Sequence, residues 1–147
     1  MSDTERIANE VWDAVKHLKA IASGALPVGR ECRVLIVEDD QNDIDMLCRE
    51  LEKFRVHCTF EKDPVKSTGM IENGHYDVVM IDLIMPRMSG IEVLQKTMSL
   101  AKGTSFIAVT GHTQDSPVNS EALKLGGIVS YSKPLTFDKL KNIFPVR

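Results

Sequence analysis

A chain of 147 residues, 43% hydrophobic and 27% charged, has the size and mix of one globular domain with a short extension. Its net charge of −3 leaves no basic stripe for nucleic acid and no attraction to an anionic membrane surface. No apolar run reaches the roughly 18 residues that a transmembrane helix needs, and the polar, acidic N-terminus is not a secretory signal, so a cytoplasmic location is expected.

Ser2-Asp3-Thr4-Glu5 matches a capping box, which predicts a helix over 3–23, stopped by Gly24 and Pro27. Ile7, Val11, Ala14, Leu18 and Ile21 form its apolar stripe, alternating by four and three as in a short coiled coil, with Trp12 outside the stripe. Such a helix is marginal alone and needs a partner surface. Self-association into a homodimer or docking of another protein is expected, against the plainer alternative of packing on its own domain. Residues 24–31 then read as a linker, which divides the chain into a helix with linker (1–31) and a main domain (32–147).

The main domain begins with an apolar run at 33–37 (RVLIV). Further runs follow at 56–60 (VHCTF), 77–81 (DVVMI), 105–109 (SFIAV) and 128–131 (IVSY). Short runs apolar on both faces predict a parallel sheet covered by helices on each side. Between them, Ile44, Leu47, Leu51 and Phe54 predict a helix over 42–54, and Ile91, Leu94, Met98 and Ala101 one over 89–101. Asp63-Pro64 opens a helix closed by Asn73-Gly74, Ser116-Pro117 opens one ended by Gly126-Gly127, and Thr136 caps a last helix through Phe144, before Pro145. The expected fold is α/β: β-α five times, a doubly wound five-stranded parallel sheet with right-handed crossovers and an extra N-terminal helix. In such sheets the site lies outside the carboxyl ends of the strands.

Those ends carry Glu38-Asp39-Asp40, Asp82, Thr110 and Lys133-Pro134. Glu38, Asp39 and Asp82 would bring about three negative charges into one cleft, where each raises the others' pKa unless neutralised. One Mg²⁺ and Lys133 together supply three positive charges, and an oxygen-only donor set with open positions suits Mg²⁺. A carboxylate can attack phosphorus, and the transfer needs mainly positioning and neutralisation. Singly, each residue has a plainer reading: helix cap for the acids (Asp40 above all), ordinary strand chemistry for Thr110, a surface charge for Lys133. The conjunction at four strand ends, in order, carries the argument.

Other residues point away from metals and nucleotides. Cys32, Cys48 and Cys58 lack ligand spacing and read as reduced, mostly buried thiols. His17, His57, His75 and His112 are too scattered for zinc. Met80, Met85, Met88 and Met98 read as packing, and no Gly-rich phosphate loop follows the first strand.

Over roughly residues 32–145 the chain resembles the receiver domain of two-component response regulators. The resemblance rests on VLIVEDD (34–40), DVVMIDLIMPRMSGIEVL (77–94), FIAVTG (106–111) and YSKPL (131–135). It implies a flavodoxin-like strand order 2-1-3-4-5. It also implies that Asp82 accepts a phosphoryl group from a sensor histidine kinase or phosphotransfer protein. Glu38, Asp39, Asp82 and the Ile84 carbonyl would hold Mg²⁺, Thr110 and Lys133 would bind phosphoryl oxygens, and Lys133-Pro134 would be cis.

The pattern departs at Ser130, where the family usually has an aromatic residue; Tyr131 follows one position later. Ile84 and His112 stand where the resemblance places side chains that border the path of an attacking water. Ile84 cannot hydrogen-bond that water and is expected to shield the phosphorus, so slow self-dephosphorylation is expected, while His112 could act either way. The chain is thus expected to be a phosphoacceptor switch and not an enzyme in the turnover sense. Because it ends at Arg147, its output is expected to pass through a downstream protein partner. The alternatives are a degenerate receiver used as a scaffold, or an aspartate-nucleophile phosphohydrolase. The latter would carry its nucleophile after the first strand in a DxD pattern, where this chain has EDD.

Overall fold

A computed structural model describes residues 2–7, 29–111, 117–126 and 128–147. Strands β1 (Cys32–Val37), β2 (Val56–Glu61), β3 (Val78–Asp82), β4 (Ser105–Thr110) and β5 (Ile128–Ser132) alternate with helices α1 (Gln41–Leu51), α2 (Pro64–Gly74), α3 (Gly90–Thr97), α4 (Pro117–Leu123) and α5 (Phe137–Leu140). The strands form one all-parallel sheet in the order β2-β1-β3-β4-β5. The chain moves to one side of β1 for β2 and to the other side for β3 to β5. The crevice between the ends of β1 and β3 is therefore the topological switch point.

The apolar runs become strands because both of their faces have something to bury against. Val79, Ile81, Leu35, Phe106, Ala108 and Ile128 meet Ile71, Leu94 and Ala122 of α2, α3 and α4 on one face. Val34, Ile36, Val78, Met80, Ile107 and Val109 meet Leu51 of α1 and Leu140 of α5 on the other. Alternate residues of each strand thus feed opposite cores, and every residue of β3 is buried.

The caps follow the polar residues at the helix starts. Asp40, Asp63, Ser89 and Thr136 each accept a hydrogen bond from the backbone N–H of Asp43, Val65, Glu92 and Lys139. At the N-terminus the capping box forms reciprocally, Glu5 N–H to Ser2 Oγ and Ser2 N–H to Glu5 Oε2, both at 3.1 Å, and residues 3–7 are helical. Ile7 is exposed there; Val11, Trp12, Ala14, Leu18 and Ile21 lie outside the described residues, as does His112.

Several helix ends differ from the periodicity. The first helix stops at Leu51, and Phe54 joins the same apolar face through a turn and an antiparallel bridge to Val146. Its ring stacks on Phe137 at 5.2 Å and meets the edge of Phe144 at 6.4 Å. Apolar spacing persists through a tight turn, so the stripe overran the helix. The same holds for α3, which ends at Thr97 and turns through Ala101, and for α5, whose α-helical part is Phe137–Leu140 and whose turn continues to Phe144. The left-handed residue closing α2 is His75, with φ 52°. Gly74 serves a different need, because a Cβ there would run into the Tyr76 ring. Of the three thiols Cys32 is buried, but Cys48 is exposed, on the solvent side of α1.

Candidate functional site

Register brings the acids together. Val37 pairs with Ile81, so Glu38 leaves β1 beside Asp82, the last residue of β3. Glu38 is tied outward by its N–H to Glu61 O at 3.1 Å, at the end of β2. Both carboxylates are buried, at 5% and 7% exposure, while Asp39 next door is more open. One oxygen from each of Glu38, Asp39 and Asp82 lies within 4.8 Å of the others.

The Asp82 carboxylate is oriented through both oxygens. Oδ1 accepts the Ile84 N–H at 3.1 Å, and Oδ2 accepts from Lys133 Nζ at 3.3 Å. Its backbone is held just as closely. Leu83 N–H bonds Val109 O and Gly90 N–H bonds Leu83 O, both at 3.1 Å. A Cβ on Gly90 would run into the Asp82 carbonyl, so only glycine lets α3 begin against the backbone of the acid. The Ile84 side chain is exposed beside this loop.

Lys133 arrives from the far side of the sheet. Its N–H bonds Thr110 O at 2.8 Å, and the Lys133-Pro134 bond is cis. Its ammonium reaches Glu38 Oε1 and Oε2 at 3.2 and 3.1 Å and Asp43 Oδ2 at 2.7 Å, besides Asp82. Thr110 is fully buried at the end of β4. Ser130 and Tyr131 lie lower on β5, opposite Ala108 and Val109. Tyr131 packs into the core on the α1 and α5 side.

The electrostatics follow from crowding. Burial, then the neighbouring Asp82, push Glu38 up to about 8, against the pull of Lys133. Burial works against the Lys133 charge, but Asp43, Asp82 and Glu38 outweigh it, so its pKa stands above the ordinary lysine value. Asp43 is held below the usual carboxylate range, chiefly by its hydrogen bond to Lys133. Among the described residues a single lysine thus answers several carboxylates, and the cluster has negative charge left over.

Among the described residues, Asp43 is the contributor that strand-end reasoning missed. It sits in the first turn of α1, where an acid reads as an ordinary partner of the helix dipole. Beside the cluster lies a cavity of about 590 Å³, walled by Met46, Leu47, Val109 and Leu135, with Glu38, Asp43, Asp82 and Lys133 in its lining.

This fold and this acidic switch point define a class. A family model described as the response regulator receiver domain matches residues 34–144, and the chain belongs to that family. Transcription factor SKN7 of Candida albicans is 31% identical over 107 residues, covering 73% of this chain and 19% of that protein. Regulatory protein AtoC of Escherichia coli is 32% identical over 113 residues, covering 76% of this chain and 24% of that protein. The chain therefore spans a quarter or less of these relatives.

Among solved structures, a receiver domain protein from Methanospirillum hungatei superposes with a TM-score of 0.67 at 28% identity, covering 76% of this chain and 88% of that one. The receiver domain of sensor histidine kinase PA1611 from Pseudomonas aeruginosa superposes with a TM-score of 0.69 at 20% identity, covering 77% and 93%. That protein was solved with magnesium coordinated in its active-site cleft. Among the described residues, no helix is long and apolar enough to cross a membrane.

Proposed function

We propose that Asp82 is the phosphoryl acceptor of a phosphorylation-dependent signalling switch, receiving the group from a phosphohistidine on a sensor histidine kinase or phosphotransfer protein. The observation that carries this reading is the buried Asp82 carboxylate, oriented on both oxygens and grouped with Glu38, Asp39 and Lys133. The oxygen-only donor set, partly open at Asp39, fits a hard divalent cation. Glu38, Asp39, Asp82 and the Ile84 carbonyl would hold Mg²⁺, which when bound supplies the neutralisation that lets an anionic donor approach three carboxylates.

One Asp82 oxygen forms the new bond to phosphorus as the bond to the imidazole nitrogen breaks, and that nitrogen leaves with the electron pair. Lys133 and the Thr110 hydroxyl then hold phosphoryl oxygens that Asp82 alone would leave unbalanced. The product is an acyl phosphate, and its formation converts one charge distribution at the switch point into another, which a protein partner reads. Turnover of substrates is no part of this role; at most the acyl phosphate hydrolyses slowly.

The test uses acetyl phosphate with Mg²⁺ and intact-mass measurement. The wild type gains one phosphoryl group and Asp82→Asn gains none while keeping its circular dichroism. Equal labelling of the variant removes Asp82 from the role. An unlabelled wild type that also fails to bind beryllofluoride supports a scaffold, and rapid release of phosphate from simple esters supports a hydrolase.

A further inference from the structure

We propose that Asp43 is a positioning residue of this site, holding the Lys133 ammonium in reserve and competing for it with the phosphoryl group on Asp82. The inference rests on the reading of Asp82 as acceptor. Lys133 Nζ bonds Asp43 Oδ2 at 2.7 Å, Glu38 at 3.1 and 3.2 Å, and Asp82 Oδ2 at 3.3 Å. An ammonium has three protons. The shortest contact goes to Asp43 and the longest to the acceptor itself.

Asp43 is placed for this by the local fold. Its N–H bonds the capping carboxylate Asp40 Oδ1 at 3.0 Å, which fixes the first turn of α1 beside the acidic cleft. Its side chain is 40% exposed, against 7% for Glu38 and 8% for Asp82. Of the three acids on Lys133, Asp43 is therefore the one that water can solvate when the lysine leaves. Glu38 has no such outlet, so its bond to Lys133 is expected to persist through the switch.

Phosphorylation changes what Lys133 is offered. An acyl phosphate turns the carboxylate into an uncharged mixed-anhydride link and moves the negative charge outward onto phosphoryl oxygens. The phosphoryl oxygens, farther out than the Asp82 carboxylate, then compete for the ammonium with Asp43, its closest and most exposed partner. Asp43 thereby opposes the phosphorylated state through the lysine, and plain charge repulsion of an anionic donor is gauged by a neighbouring acid that does not touch Lys133. The through-lysine part is separable from the through-space part, because the next acid along α1, Asp45, bonds Gln41 at 2.8 Å instead of Lys133.

The test compares Asp43→Asn with Asp45→Asn on beryllofluoride affinity and on acetyl phosphate labelling rate, with Mg²⁺ present. Asp43→Asn is expected to raise both by about three- to tenfold, the size of a partly exposed charge-assisted bond, and Asp45→Asn to leave both within twofold. In a Lys133→Met background the gain in beryllofluoride affinity should vanish. Without metal or phosphate, the ¹⁵N signal of the Lys133 ammonium should shift with Asp43→Asn and stay with Asp45→Asn. Equal gains from both substitutions, a gain that survives in Lys133→Met, an unmoved ammonium signal, or a loss of affinity in Asp43→Asn each overturns the inference. A wild type that neither labels nor binds beryllofluoride removes the underlying function as well, whereas a labelled wild type with an unresponsive Asp43→Asn removes only the competition.

Discussion

Both edges of the sheet carry a carboxylate next to β3, Asp77 just before it and Asp82 as its last residue. At the lower edge Asp77 takes both Arg30 guanidinium nitrogens, at 2.8 and 2.9 Å, and the Arg33 N–H at 2.7 Å. One acid meets a whole guanidinium and a backbone donor, and the start of β3 is pinned to the start of β1. At the upper edge Glu38, Asp43 and Asp82 share one ammonium. The lower carboxylate is balanced and structural. The upper ones are over-supplied with negative charge, which a bound cation would offset. Asp77 at 13% side-chain exposure and Asp82 at 8% are similar groups with different partner counts, which supports a structural role at one end and the proposed reactive role at the other.

Glycine substitutions test how rigidly each edge is built. Gly90→Ala forces a methyl into the Asp82 carbonyl and the Leu83 Cα, which are backbone and cannot rotate away. A loss of about 3 kcal/mol or more is expected in urea unfolding, with phosphorylation impaired because the acceptor's own backbone must shift. Gly74→Ala at the lower edge presses first on the Tyr76 ring, a side chain that can turn where backbone cannot, so a smaller cost of about 1 kcal/mol is expected. Equal costs would mean that the upper edge is no tighter than the lower.

The same Asp→Asn change should have opposite signs at the two edges. Asp77→Asn removes the charge that Arg30 and the Arg33 N–H answer, at a cost of about 1 kcal/mol near neutral pH. Burial pushes Asp77 up, but the bonds from Arg30 and Arg33 outweigh it and hold it below the ordinary aspartate value. A depressed folded pKa means that the stabilisation is present above the unfolded value of about 3.9 and is lost as pH falls through the folded one. The deficit of Asp77→Asn should therefore shrink below about pH 4. Asp82→Asn takes one charge out of the crowded cluster and leaves Lys133 its bonds to Glu38 and Asp43, so a gain of about 1 kcal/mol is expected without metal. Thermal melts at several pH values, metal chelated, would measure both. A loss of stability in Asp82→Asn would undo the contrast.

This contrast also separates what was legible in the sequence from what was not. The strands stood out because a fully buried parallel strand must be apolar on both faces, and β3 has nowhere to hide a polar residue before Asp82. The strand-end acids and lysine were legible for the complementary reason, since charge adjoining such runs has to sit at the sheet's rim. Helix ends were less so, because Phe54 keeps its apolar spacing through a turn that the pattern cannot distinguish from helix. Asp43 was hidden for a related reason. An acid in a first helical turn is ordinary, and only the reach of Lys133 across the sheet makes it part of the site. The excess of strand-end acid over the single lysine was the available hint.

The smallest expected effect concerns Ser130, and it follows from strand alternation. Ser130 pairs with Ala108 and Tyr131 with Val109. Ala108 faces the core under α2 to α4, whereas Val109 and Tyr131 belong to the core under α1 and α5. Thr110, two residues beyond Ala108, shares the Ser130 side of the sheet. Tyr131 is therefore one residue out of phase with the space beside Thr110, and a one-residue slip would turn every β5 side chain to the wrong face. We therefore expect no tyrosine swing at this position, since Ser130 is too small to fill or vacate the volume of a ring. Any movement of Thr110 toward the phosphoryl group must then be transmitted through the loop that follows it. Ser130→Ala should leave the beryllofluoride-induced changes in the amide NMR spectrum intact, while Thr110→Ala should abolish most of them. If Ser130→Ala erases those changes as fully as Thr110→Ala does, Ser130 is itself a working element of the switch and the phase argument fails.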